Sequence, residues 1–389
     1  MKDTLKALQR TLGVALAVVC LGLVYWQVIR AGALLARDDN PRRVIAEQRI
    51  KRGKILTAGG VALAESVTGP DGLAERRYPY PSLATVTGYY SLRYGTGGLE
   101  AAFDSRLRGD DRQTSLDALM HHPPAGQNIT VTVQLAAQVA ADNALAVSDA
   151  AGAVIVMQAD TGQLLVMASR PTFDPNRLEA DWERLVDDPA AALLNRATQG
   201  VFPLGQLARM VGLIGLFEAG TTVPPEPLSA PLPALLAPLS GQGLAATARQ
   251  LRFDRETPFN LPTAAGLVPD DLPRRAEEMA ATPLHITLVG AALLNGGLAP
   301  APTLIHPDPA SPRSATRLFG PDTARAMLAL ASEYSGLAAP DVTGNQPLSW
   351  YLGLTDGEPS LVAVAVVTGP RVDAGTAAHI GRTALKAAQ

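Results

Sequence analysis

The sequence predicts an α+β protein carried behind one N-terminal apolar helix, with a smaller region of short strands and turns ahead of the main domain. Three observations predict it. Residues 11–29 carry no charge; residues 53–98 are broken by Gly, Pro and Tyr; and from residue 128 short apolar strands alternate with helical patterns down to a closing strand pair and helix. The chain has 389 residues, 47% of them hydrophobic, enough for two or three domains with real cores, which excludes a disordered protein. Lys and Arg total 33 against 36 Asp and Glu, for a net charge of −3, and no basic run exceeds two residues. That balance lacks the electrostatic footprint of a nucleic-acid binder, so nucleic acid is dropped as a partner. Cys20 is the only cysteine, which rules out an intramolecular disulfide and leaves the redox compartment undecided.

Each element follows in order. The run at 11–29 (TLGVALAVVCLGLVYWQVI) reaches the length of roughly 18 apolar residues that crosses a bilayer. It ends in Tyr25-Trp26, aromatics suited to a membrane interface rather than to a cleavage site. Lys2, Lys6 and Arg10 precede it, so the expectation is an uncleaved anchor at 11–29, a cytoplasmic tail at 1–10 and an extracytoplasmic bulk. Arg30, Arg37, Arg42 and Arg43 weaken that charge asymmetry. A buried core helix is the competing reading, but only Thr11 and Gln27 interrupt the apolar pattern. Cys20 within the run counts as a small apolar residue.

Residues 128–134 (NITVTVQ) alternate as a half-buried strand, and an Ala-rich helix follows at about 135–147. The apolar runs 153–158 and 163–169 are joined by Ala159-Asp160-Thr161-Gly162, which is hairpin chemistry. Residues 206–219 and 283–295 carry helical patterns, and 221–239 are Pro-rich and expected to be irregular. The end reads as strand 348–354, strand 360–368 and a helix from about 374 to 388. No internal repeat is evident.

Taken in order, these landmarks resemble the class B penicillin-binding proteins, the membrane-anchored D,D-transpeptidases that crosslink peptidoglycan. Arg49-Ile50-Lys51-Arg52-Gly53-Lys54-Ile55-Leu56, Tyr78-Pro79, Val86-Thr87-Gly88-Tyr89 and Gly97-Gly98-Leu99-Glu100 with Leu107-Arg108-Gly109 are similar to the family's non-catalytic pedestal. Asn128-Ile129-Thr130-Val131-Thr132-Val133, Gln138, the hairpin from Gly152 to Ser169, the stretch Ser169-Arg170-Pro171-Thr172-Phe173-Asp174-Pro175-Asn176 and Asn195-Arg196-Ala197 resemble its transpeptidase domain. The resemblance implies a β-rich pedestal at 37–125, a penicillin-binding-protein/serine β-lactamase-like domain at 126–389, and a place in the bacterial inner membrane. It also implies glycan polymerases and other membrane proteins of the elongation or division complexes as partners, with wall peptide as a candidate ligand and no cofactor.

The family's reaction is acyl transfer by a serine whose proton is taken by a lysine one helical turn on, in S-x-x-K. At that place the chain reads Phe202-Pro203-Leu204-Gly205-Gln206-Leu207-Ala208-Arg209. Gln206 has no ionisable hydroxyl, and the Arg209 guanidinium does not give up its proton. The second signature, S-x-N, is assigned to Ser240-Gly241-Gln242, a stretch that fits a Gly-containing turn equally well. The third, K-T-G on the strand edging the site, is assigned to Val342-Thr343-Gly344, ahead of Trp350-Tyr351-Leu352-Gly353. Lysine occurs only at 2, 6, 51, 54 and 386, so no register supplies one to the middle of the fold. No catalytic residue is expected intact.

Other chemistries find no footing. There is no G-x-S-x-G elbow to make a nucleophile of Ser240. The adjacent His121-His122 lack metal-ligand spacing. Gly95-Thr96-Gly97-Gly98 is no dinucleotide fingerprint, and there is no P-loop. The sequon Asn128-Ile129-Thr130 reads as the start of a strand, and Asp174-Pro175-Asn176 as a turn. The sequence therefore points first to a catalytically inactive homologue acting as a membrane-anchored scaffold or regulator. An enzyme with altered residues is the second reading, and a noncovalent binder of wall peptide or β-lactam the third. A bond between Gln206 and Arg209 plugging the cleft is the structural expectation that goes with the first.

Overall fold

The computed structural model describes the chain apart from residues 1, 27–29, 31–46, 113–123, 307–313 and 339–345, and apart from side chains at 335–338 and at the extreme N-terminus. Its main domain is built on a five-stranded antiparallel sheet in the order Glu333–Ala338, Leu348–Thr355, Leu361–Thr368, Ala151–Gln158, Leu164–Arg170. The register pairs Trp350 with Val366, Val364 with Ile155 and Val154 with Ala168. Successive residues on a strand point to opposite faces, and here both faces are covered. Ile155, Met157, Trp350, Leu352 and Val364 pack with the helices Ala208–Glu218 and Pro283–Leu294 on one side. Val154, Val156, Ala363, Ala365 and Val367 pack with Leu135–Val147 and Thr376–Ala388 on the other. Burial on both faces is why 361–367 is continuously apolar rather than alternating.

Ala159–Gly162 closes the hairpin as expected, with Gly162 at φ +74° and its amide bonded to Gln158 O. A side chain there would meet Ala301 O. The helix expected at 135–147 is Leu135–Val147, and that at 283–295 is Pro283–Leu294, started by a capping box in which Thr282 and His285 bond reciprocally. The stretch 221–239, expected to be irregular, contains one short helix, Leu232–Leu236. Several further elements lacked a sequence expectation, among them the helices Leu178–Asp187, Gly241–Gln250 and Pro321–Leu330 and the strand Glu333–Ala338.

The smaller region holds a four-stranded sheet in the order Ala74–Arg77, Ala62–Thr68, Ile55–Thr57, Ile129–Val131, the last pair parallel. The strand Ile129–Val131, placed after the 126 boundary from sequence, thus completes this sheet while Thr132 N bonds Leu304 O of the main domain. Behind the sheet, Glu100 is fully buried and accepts from Arg52 Nε and Nη2 at 3.1 and 3.0 Å and from Arg76 Nε at 2.7 Å. Asp104 takes Arg52 Nη1 at 2.7 Å, and the Arg52 guanidinium lies 4.4 Å from the Tyr90 ring centroid. Burial pulls the Arg52 pKa down, but Glu100 and Asp104 outweigh it and raise it overall. Gly53 beside it has no space for a side chain: a Cβ would stand 1.9 Å from Gln127 O. Asn176 locks the two regions together, accepting from Tyr78 N at 2.9 Å and donating to Tyr78 O at 3.0 Å. The Asp174-Pro175-Asn176 turn is therefore a cap and a clasp.

The anchor expected at 11–29 is not supported as a span. The helix runs from Lys2 to Val24, and among the described residues no helix is long and apolar enough to cross a membrane. The uncharged helical part, Thr11–Val24, extends about 21 Å at 1.5 Å per residue, against a hydrocarbon core of about 30 Å. Residues 27–29, which would complete it, lie outside the described residues.

Candidate active-site cleft

Two short strands set the cleft. Phe202–Pro203 pairs antiparallel with Ala280–Ala281, Leu204 N donates to Met279 O at 2.7 Å, and Trp350 Nε1 donates to Pro203 O at 2.8 Å. The Phe202 ring meets Trp350 edge-on at 6.1 Å. These contacts fix the chain just before the one-turn 3₁₀ helix Gly205–Leu207, which carries Gln206 and runs into the site helix Ala208–Glu218, with Arg209 in its first turn. The three-residue spacing brings Gln206 and Arg209 onto one face.

Their side chains are bonded to each other and to both walls. Gln206 Nε2 donates to Glu277 Oε1 at 2.6 Å, and Arg209 Nη2 donates to Gln206 Oε1 at 3.3 Å. Arg209 Nη1 donates to Pro227 O at 2.9 Å and Ala230 O at 2.6 Å. A continuous ladder thus runs from Glu277 through Gln206 and Arg209 to the Pro227–Ala230 loop. Partial burial lowers the Arg209 pKa, but a guanidinium so placed stays a cation and a donor. Neither Gln206 nor Arg209 can attack a carbonyl or take a proton from an attacking hydroxyl.

Ser240 and Gln242 are not brought into this arrangement, which corrects the assignment of the second signature. Ser240 is the exposed N-cap of the helix Gly241–Gln250, its hydroxyl accepting from Gly243 N at 3.0 Å, and Gln242 is exposed in that helix's first turn. The segment that reaches Arg209 is Pro227–Ala230, whose Ser229-Ala230-Pro231 keeps the S-x-N spacing with Pro in the Asn position. Sequence reasoning missed it because Ser240-Gly241-Gln242 preserved an amide side chain. The usable signal was the short helix Leu232–Leu236 starting directly afterwards.

Val342, Thr343 and Gly344 lie outside the described residues. The strand edging the cleft is Glu333–Ala338, which pairs with Leu348–Thr355 so that Gly336 faces Trp350, and which packs along Gly205–Leu207. It reads Glu333-Tyr334-Ser335-Gly336-Leu337-Ala338, so Tyr334-Ser335-Gly336 occupies the strand place of a K-T-G signature. Tyr334 is buried, and its hydroxyl donates to Met327 O at 2.7 Å. Burial pushes that phenol well above its ordinary range, so it is a neutral anchor of the strand. His121 and His122 also lie outside the described residues, and no group of His, Cys, Asp or Glu among the described residues is arranged to hold a metal.

Residues 52–129 match the penicillin binding protein A dimerisation domain, and residues 152–227 the penicillin binding protein transpeptidase domain. The peptidoglycan D,D-transpeptidase PbpA of Mycolicibacterium smegmatis is 29% identical, with 100% of this chain and 99% of the relative aligned. The chain belongs to the class B penicillin-binding proteins. Among solved structures, penicillin-binding protein A of Mycobacterium tuberculosis as an imipenem acyl-enzyme superposes with a TM-score of 0.77 at 27% identity, covering 88% of this chain and 99% of the other. Its penicillin G acyl-enzyme gives 0.76 at 26%, covering 87% and 99%. The MrdA transpeptidase of Escherichia coli is 30% identical over 38% of this chain and 29% of its own length. These penicillin-binding-protein relatives share the α+β transpeptidase fold that positions Gln206 and Arg209 here.

Proposed function

We propose that this class B penicillin-binding protein is catalytically silent and serves peptidoglycan synthesis as a membrane-anchored scaffold or regulator. One observation carries the reading: where the family places the acylating serine and its lysine, Gln206 and Arg209 are tied by hydrogen bonds to Glu277 and to Pro227 and Ala230. No lysine lies between residues 54 and 386 to serve as base or as point charge for a substrate carboxylate. The retained pedestal, clasped to the main domain by Asn176 and Tyr78, fits a protein kept for its surfaces. Proteins of the wall-synthesis complexes, glycan polymerases among them, are the proposed partners.

Membrane attachment is part of the proposal and rests on the amino-terminal helix. Leu12, Val14, Leu16, Val18, Val19, Leu21, Leu23 and Val24 are all more than half exposed on it. A helix apolar on every face is unstable in water unless lipid or protein covers it. Lys2, Lys6 and Arg10 before it favour a cytoplasmic start and an extracytoplasmic bulk.

The test is intact-mass measurement of the full chain incubated with penicillin G, alongside the triple variant Gln206→Ser/Arg209→Lys/Tyr334→Lys. No adduct on the unmodified protein is the expected result. A covalent adduct would show a working nucleophile, overturn the silent-site reading and revive an enzyme with altered residues. Reversible β-lactam binding without a mass change would instead favour a noncovalent binding module.

A further inference from the structure

Away from the cleft, the junction between pedestal and main domain encloses a cavity of about 160 Å³. Thr85, Gly88 and Tyr89 line it from the pedestal, and Phe173, Thr198 and Gln199 from the main domain. Thr85 is 7% and Thr198 0% exposed, and neither hydroxyl has a hydrogen-bond partner among the described residues. A buried hydroxyl without a partner costs on the order of 1–3 kcal/mol, and two lining one cavity call for an occupant that bonds them. Asn195 is not available to do so, since its amide donates to Thr85 O at 3.3 Å and its oxygen accepts from Ala197 N at 3.1 Å. The half-buried Gln199 side chain adds a free amide on the main-domain side.

The lining also says what the occupant is not. It contains no Asp, Glu, Lys or Arg, so a charged ligand would lose its hydration without gaining a counter-charge. Tyr89 and Phe173, edge to face at 6.0 Å, give the cavity an aromatic side, and Leu193, Leu261 and Pro262 complete an apolar one. Neutral donors and acceptors opposed to aromatic carbon suit a molecule with hydroxyl or amide groups on one edge and C–H groups on its face. We propose that this cavity binds one neutral saccharide unit, held by Thr85, Thr198 and Gln199. Such a ligand touches both domains at once and stabilises their relative position, and the inference stands independently of whether the cleft is silent.

The experiment is isothermal titration of the full chain, in a detergent without a sugar headgroup, with N-acetylglucosamine, glucose and the charged analogues glucosamine and glucuronic acid. Saturable binding of a neutral sugar, several-fold tighter than its charged analogue, is expected. Thr198→Val keeps the shape and removes the hydroxyl, and the loss of one hydrogen bond weakens binding about threefold to tenfold. Gln199→Leu, at a half-exposed position with no protein partner, gives the same direction if Thr198→Val fails to fold. No saturable binding of any neutral sugar, equal binding of charged analogues, affinity untouched by both variants, or a sugar-soaked structure with ordered water only would each overturn the proposal.

Discussion

Replacing Arg209 by alanine removes the hub of the cleft ladder. The side chain makes two short charge-assisted bonds, to Pro227 O at 2.9 Å and Ala230 O at 2.6 Å, and a longer one to Gln206 at 3.3 Å. Bonds to a charged group contribute about 1.5–3 kcal/mol each when buried. Arg209 is half-buried, so solvent replaces part of what is lost, and the expected cost is about 2 kcal/mol for the pair. Equilibrium urea unfolding of the full chain measures it as a shift in midpoint at constant slope. Arg209→Lys should recover only part, because an ammonium lacks the fork that spans two carbonyls. Hydrogen exchange supplies the local readout. Amides at 228–232 should exchange faster in Arg209→Ala, since that loop is held to the site helix by this side chain, whereas amides of the sheet strand Leu361–Thr368 should not change. A midpoint within error of the unmodified protein, together with unaltered exchange at 228–232, would refute the ladder as a structural tie.

Three further outcomes follow from the same geometry. Glu100→Ala removes the carboxylate that pairs Arg76 and leaves Arg52 with Asp104 alone in a buried site, and should cost about 3–5 kcal/mol, read by urea unfolding, with Glu100→Gln costing less. Ser240→Ala removes the cap on Gly241–Gln250 for about 1 kcal/mol and should leave any penicillin adduct yield unchanged, whereas a change would return Ser240 to the site. His285 is buried with Nδ1 at Thr282 and Nε2 at Arg255 O, and burial lowers its pKa from the ordinary value. The unfolded chain therefore takes up a proton that the folded one refuses. Stability is full above about pH 6.5 and falls as pH drops from there toward the folded value, by at most about 1.4 kcal/mol per unit. A titration of unfolding free energy should lose that component in His285→Phe.

Glu277 shows what tertiary structure adds to a site read from sequence. It stands 71 residues from Gln206, in a stretch with no helical or strand period, and only the pairing of Phe202–Pro203 with Ala280–Ala281 brings the two together. The same holds for Ala230, whose carbonyl is invisible to any argument from side-chain type. Tyr334-Ser335-Gly336 was within reach of sequence reasoning, but its strand is short and lies at the sheet edge, where alternation is weak. The retained Thr-Gly pair at 343–344 was the stronger lexical match.

By itself the sequence determined the α+β class, the penicillin-binding-protein order of landmarks, the helices Leu135–Val147 and Pro283–Leu294, and the presence of Gln206 and Arg209 where the resemblance expects a nucleophile and its base. These rest on local periodicity, turn chemistry and residue identity, all of which are written along the chain. Only the tertiary structure decided that Ser240 is a cap, that Pro227–Ala230 and Glu333–Ala338 wall the cleft, and that Gln206 and Arg209 are bonded into it. Such contacts join residues tens of positions apart, and their partners are chosen by how the sheet and its covering helices pack rather than by any neighbour in the sequence.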